Sequence, residues 1–162
     1  MTTNNIGKTL FMSTVAPAAN TSAGFEALTW VQVKGIQTLP VFGVSHSNID
    51  VSDLATGFTS GVKGAASGRD TQFSYRDIDS DTGQGNVETA AVDPDGVVAL
   101  KIVDGSGTDT GDGPAPVTSD AVQYAQGYLH SYEENQPTDN SFQGASVNFK
   151  QNNFTITATE PV

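Results

Sequence analysis

Apolar and polar positions alternate most clearly near the C-terminal end of the chain. Ala145, Val147 and Phe149 fall on one side, Ser146, Asn148 and Lys150 on the other, and Phe154, Ile156 and Ala158 resume the alternation after Gln151-Asn152-Asn153. A period of two with one apolar side is the mark of a half-buried strand. Together with Gln123 to Tyr132 and the turn-rich Asn135-Gln136-Pro137-Thr138-Asp139-Asn140, it predicts a long closing hairpin over Gln123 to Thr159. A strand pair of that length has more edge than a small chain covers by itself, so self-association is expected.

The rest of the chain reads as strands separated by turns. After a polar arm, Met1 to Lys8, Thr9 to Val15 reads as a strand and Ala16 to Gly24 as a loop. Phe25 to Val33 alternates with apolar groups on both sides, Phe25, Val31 and Val33 against Leu28 and Trp30, which predicts a strand covered twice. Val41 to Asp50 and Thr71 to Ile78 read as a strand pair. They are separated by the glycine-rich loop Val51 to Asp70 with Gly57, Gly61, Gly64 and Gly68, and connections that long are usually functional or mobile. Asn86 to Asp93 is a short helix stopped by Pro94, Val97 to Val103 a strand, and Asp104 to Pro116 an acidic, glycine-rich loop. The expectation is one domain over residues 1–162: mainly β, sandwich-like or barrel-like, with one short helix and long hairpins.

Charge narrows the partners. Eighteen acidic against seven basic residues give a formal charge of −11, whereas affinity for a phosphate backbone comes from Lys and Arg releasing counterions. The same charge suits a surface that nucleic acid passes without sticking. Cysteine is absent, which excludes disulfides and thiolate sites. The N-terminus lacks the apolar core of a signal peptide and no run approaches a membrane span, so a soluble chain made in a cytoplasm is expected.

Candidate chemistry is thin. Asp77, Asp79, Asp81 and Glu88 occupy positions one, three, five and twelve of a calcium loop, but the glycine comes one place late at Gly83 and a strand pattern, Phe73 to Arg76, precedes it. A turn leading into the helix explains these acids equally, since carboxylates favour a helix N-terminus. Asp104 to Gly113 is superficially like a calcium-binding glycine-aspartate repeat but occurs once, and stacked sites need repetition. Gly64 to Arg69 lacks the lysine and the helix of a phosphate cradle. His46 and His130 both fall on expected strands, no Gly-x-Ser-x-Gly elbow is present, and the neighbours Glu133 and Glu134 point to opposite faces. No enzyme, metal or cofactor is expected.

The order of elements resembles the tail tube proteins of long-tailed bacteriophages. The stretches that carry the resemblance are Phe25 to Ile36, the loop Ser52 to Asp70, and Gly127 to Phe142 with its strand, small acidic turn and return. The resemblance implies a tail-tube fold whose subunits form six-membered rings, stacked into a tube with an acidic channel that conducts DNA into the host. Neighbouring subunits would share one inner barrel, built here from Val41 to Asp50, Thr71 to Ile78 and the C-terminal pair. It implies ring-stacking contacts at Ser52, Phe58, Lys63, Arg69, Asp70 and Lys8, and an inter-subunit hairpin with Tyr128, His130, Tyr132, Val147 and Phe149. Implied partners are further copies of the chain, a tape measure protein, a tail terminator and a distal tail protein, with assembly in the host cytoplasm and residence in the virion.

Two other readings stand beside it. One is a calcium-dependent carbohydrate-binding β-sandwich, motivated by the two acidic loops and by Tyr124, Tyr128 and Tyr132 as exposed aromatics. The other is a secretion-system tube protein, which shares the ring architecture.

Overall fold

The computed structural model describes residues 6–161; Met1 to Asn5 of the expected N-terminal arm lie outside that range. The chain is mainly β. Eight strands form one antiparallel sheet: β1 (Lys8–Ser13), β2 (Val31–Val33), β3 (Ile36–Thr38), β6 (Asp70–Arg76), β7 (Val97–Asp104), β8 (Ala121–Glu134), β9 (Gly144–Gln151) and β10 (Ile156–Thr159). Two further strands, β4 (Val44–Asp53) and β5 (Phe58–Gly68), pair only with each other. The helices are α1 (Ser22–Glu26) and α2 (Thr82–Val92). None among the described residues is long and apolar enough to cross a membrane.

The main sheet runs β2-β1-β7-β8-β9-β6-β3, and β10 joins it beside β8. β8 organises it. On one edge Val122 to Tyr128 pair with β7; on the other, Ala121 to Tyr124 pair with β10 and Gly127 to Glu134 with β9. A bulge at Ser131, whose φ of 55° lies in the left-handed region, shifts the register between His130 and Glu133. The shift matters because strict alternation would put Tyr132 beside His130 on the outer face. Instead Tyr132 packs against the main core.

Each face of the sheet buries its own cluster. The inner face gathers Leu10, Met12, Phe73, Val98, Leu100, Leu129, Val147 and Phe149 under Val87 and Ala90 of α2. The outer face holds Phe25, Ala99, Val103, Val122 and Tyr124, with Trp30 packed against them.

Four expectations are corrected. Phe25 to Val33 is not one strand. Thr21 caps α1 by accepting the Gly24 N–H, Phe25 stacks on Tyr124 at 5.0 Å, and Trp30 Nε1 donates to Phe25 O at 3.1 Å, so only Val31–Val33 remains extended. Residues 51–70 are not a loop: most of them belong to the β4–β5 ribbon, turned at Gly57 with φ 67°. Neither side of that ribbon is buried, so the alternation that would have marked it is weak. Accordingly β4 pairs with β5, while β6 pairs with β3 and β9, instead of Val41 to Asp50 pairing with Thr71 to Ile78. Finally, β9 and β10 are separate strands on the same edge of β8. The break is held by Gln151, whose Nε2 donates to Asn153 O and Thr155 Oγ1.

The helix was expected at Asn86 and begins at Thr82. Asp81 accepts the Gln84 N–H at 2.9 Å, and Gly83 and Gly85, poor helix formers, conceal the first turn in the sequence. Buried Gln84 ties this turn to the body: its amide donates to Lys34 O and Arg76 O, both at 2.8 Å, and accepts the Ile78 N–H.

Candidate assembly surfaces

The β4–β5 ribbon stands off the body. Strands of 10 and 11 residues are almost wholly exposed. They are anchored at one end, where Arg69 N donates to Gly43 O, Gly43 N to Gln151 Oε1, and Lys150 Nζ to Gly68 O. The cross-strand register pairs Ile49 with Val62, Val51 with Ser60 and Asp53 with Phe58, while Asn48 faces Lys63 and Ser52 faces Thr59. One side of the ribbon therefore carries an exposed apolar stripe of Ile49, Val51, Phe58 and Val62, with Ser60 and Asp53 beside it and Leu54 fully exposed at the tip. An isolated two-stranded hairpin is at best marginally stable, and an exposed apolar stripe on one marks a contact surface.

A second surface is the outer face of β8, β9 and β6. Gln72 Nε2 donates to Asn148 Oδ1, Thr38 and Ser74 hydroxyls meet at 2.8 Å, and His130 Nε2 lies 3.1 Å from both oxygens of Asp70 while its Nδ1 meets Ser131 Oγ at 2.7 Å. The face is polar and close to charge balance. By register it presents Asp70 and Glu133 against Lys150 and Arg76. Its two borders are open. β7 stops opposite Tyr128, leaving the Ser131–Glu134 part of β8 without a strand on that side, and β3 ends the sheet at the other border.

Of the expected stacking residues, Ser52, Phe58 and Lys63 lie on the ribbon and Arg69 and Asp70 at its root. Lys8 starts β1, paired in register with Asp104, and is not part of that surface. In the closing hairpin Tyr128, His130 and Tyr132 keep exposed area, whereas Val147 and Phe149 are buried in the chain's own core. His46 stacks loosely on Phe154.

The calcium candidates do not converge. Asp81 is the cap of α2, Asp77 and Asp79 sit in the turn before it, and Glu88 lies on α2, accepting from Tyr132 Oη at 3.4 Å. In the other acidic loop Asp109 accepts the Gly111 and Gly113 N–H groups and Asp112 pairs with Lys34 at 2.9 Å. Among the described residues no group of three or more carboxylates or histidines is placed to hold a metal ion. Tyr124 is buried, so it offers no platform for a sugar. Gly64 to Arg69 is extended chain, with no helix N-terminus to cradle phosphate.

The sequence reading missed a concavity at the end of β6. Tyr75, Asp77, Glu88, Tyr132, Glu134 and Phe142 help to line a cavity of about 260 Å³. Tyr75 is 2% exposed, and its hydroxyl lies near that of Tyr132 without a hydrogen bond of ordinary length among the described residues. Burial first, then Tyr132 and the charges of Glu88 and Asp77, push its hydroxyl well above the usual tyrosine range. Burial also raises Tyr132, partly opposed by the Tyr75 hydroxyl and reinforced by Glu88 and Glu134. Residues spread from 75 to 142 give no sequence signal for such a site. Asp81-x-x-Gln84, by contrast, is a capping pattern that locates the start of α2.

No protein-family model matches the sequence, and no curated protein matches it. Solved structures do. The chain superimposes on the SPP1 tail tube with a TM-score of 0.63 at 13% identity, covering 98% of this chain and 80% of that one. For the anti-feeding prophage tube-terminating cap the values are 0.59 and 10%, with 97% and 91% covered, and for a chain of that prophage's baseplate 0.53 and 5%, with 98% and 97% covered. The protein thus has a tail-tube fold. The likeness extends over nearly the whole chain while almost no sequence identity remains.

Proposed function

We propose that this protein is the structural subunit of a phage tail tube, a single domain that forms stacked six-membered rings around a channel for DNA. The observation that carries the reading is the β4–β5 ribbon: a whole-chain tail-tube fold that holds an exposed apolar stripe away from its own body is built to contact another copy. Ring closure would join the open β8 border of one copy to the β3 border of the next, a head-to-tail contact that closes on itself when the rotation permits. Stacking would use the ribbon, with Ser52, Phe58 and Lys63. The tape measure, tail terminator and distal tail proteins are the expected further partners, with assembly in the host cytoplasm and residence in the virion.

Charge placement refines the channel. If the outer face of β8, β9 and β6 lines the bore, its wall is nearly neutral, because most carboxylates sit in turns and loops. DNA would then slide because the wall holds few free cations to exchange for counterions, Lys150 already donating to Gly68 O. An acidic bore requires the loop carboxylates to project into it. A secretion-type tube keeps the same ring geometry, and the likeness to the anti-feeding prophage cap and baseplate chains favours it as the second reading.

Negative-stain electron microscopy of the purified protein over a concentration series, beside light scattering, tests the assembly. Hollow rings or tubes are expected. A monomer at every concentration, also when a tail initiator complex is added, overturns the reading.

A further inference from the structure

The cavity at the end of β6 is chemically specific. Three carboxylates, Asp77, Glu88 and Glu134, and two tyrosines border it, and none of the three carboxylates belongs to an ion pair among the described residues. The buried Tyr75 hydroxyl, which makes no hydrogen bond of ordinary length and has only Tyr132 close by, borders the same space. Carboxylates spaced around the rim, too far apart to converge on a metal ion and backed by aromatic rings, suit an organic cation on a slender stem, since ring faces attract ammonium and guanidinium groups. The volume, about 260 Å³, exceeds what one such group fills, leaving room for its approach.

The chain carries a fitting group. Lys63 lies on β5 opposite Asn48, on the polar side of the ribbon, and joins no ion pair among the described residues. It is also the one cation between the ribbon's root and its tip. The two features sit at opposite ends of one strand: the ribbon is rooted at the Asp70 end of β6, and the cavity lies past its Arg76 end. At roughly 3.3 Å per residue the ribbon reaches on the order of 30 Å from its root, and Lys63, midway along β5, stands roughly 17 Å out. It extends away from its own cavity and toward whatever lies beyond the Asp70 end. A contact of this kind cannot form within one copy and repeats when copies are stacked in register.

We propose that the cavity of Tyr75, Tyr132, Asp77, Glu88 and Glu134 is the socket for Lys63 of the ribbon of a second copy of this chain, fixing the register between successive rings. The inference rests on the tube reading and adds its socket. The apolar stripe lies on the ribbon's other side and supplies adhesion to a separate neighbouring surface, while the lysine selects the position on the copy that carries the socket.

The test is made on the full chain. Lys63→Glu, an exposed change that leaves the fold intact by circular dichroism, should raise the protein concentration needed for tubes by about tenfold or more, because close charge pairs across interfaces couple at that scale. Adding Glu88→Lys to the same chain should restore assembly. The absence of natural cysteine permits a second readout: Lys63→Cys with Glu88→Cys should give an oxidised ladder of dimers and higher multimers, and a Lys8→Cys, Glu88→Cys control should not. Wild-type tubes with unchanged assembly of Lys63→Glu and no ladder overturn the socket while the tube reading survives. A wild-type chain that never assembles overturns both.

Discussion

Lys101 Nζ lies 2.7 Å from Glu160 Oε1, and both side chains are largely buried, with the Lys101 ammonium 5.4 Å from the Phe11 ring and 5.9 Å from that of Trp30. The pair fastens the segment just after β10 to the outer face of β7. Removing one partner strands a charge in an apolar setting. Glu160→Ala should therefore cost about 3 to 5 kcal/mol in urea unfolding. The double change Lys101→Met, Glu160→Leu should recover most of that loss, and no recovery would mean that the pair also positions the chain end.

Two glycines in α2 should respond with opposite signs. A Cβ on Gly83 would come within 2.0 Å of Gln32 O in β2, whereas one on Gly85 meets nothing within 4 Å. Gly83→Ala should destabilise by about 1 to 3 kcal/mol through overpacking against backbone. Gly85→Ala should stabilise by about 0.5 to 1 kcal/mol through helix propensity. Thermal melting of the two variants side by side is the check.

Asp120 ties the acidic loop to the start of β8. Its carboxylate accepts the Ser106 hydroxyl at 2.6 Å, the Val117 N–H at 2.8 Å and the Ser106 N–H at 3.0 Å. The Ser106 hydroxyl first, then the Val117 and Ser106 amides, hold it below its ordinary value of 3.8. Its contribution is complete above that value and is lost as pH falls through the lower folded one. Asp120→Asn should be less stable than the parent at neutral pH, and the gap should close as acid titrations pass below 3.8.

Tyr124 carries the opposite dependence. Burial, then the charges of Glu160 and Glu26, push its hydroxyl up to about 12. Stability from keeping it neutral is complete below its ordinary value of 10.0 and is lost as pH rises through about 12. The hydroxyl has no hydrogen-bond partner among the described residues. Tyr124→Phe should be neutral or mildly stabilising at pH 7 and should extend the stable range on the alkaline side, read by near-ultraviolet circular dichroism.

The ribbon's apolar side predicts a separation of folding from assembly. Because Phe58 and Val62 are exposed, replacing both by Ser should move monomer stability by about 0.5 kcal/mol or less. Tube formation should fall sharply. Equal assembly of the variant and its parent, measured by pelleting, would remove the ribbon from the stacking contact.

Much of the main sheet was legible in the residues. Ala145 to Lys150 carries a period-two pattern because one face of that strand is buried, and Val97 to Val103 reads as a short continuous apolar run because both of its faces are covered. The −11 charge and the missing cysteines likewise follow from composition alone. The ribbon escaped notice because neither of its faces is covered within one copy, so exposed glycines, serines and threonines were free to resemble a loop. Phe25 to Trp30 misled for the reverse reason: its apolar groups answer to Tyr124, nearly a hundred residues away, and not to a strand period. The cavity of Tyr75, Glu88 and Tyr132 could come only from the fold. The bulge at Ser131 turns Tyr132 inward and the β8–β9 register brings Glu134 opposite Ala145, long-range geometry that no local spacing encodes.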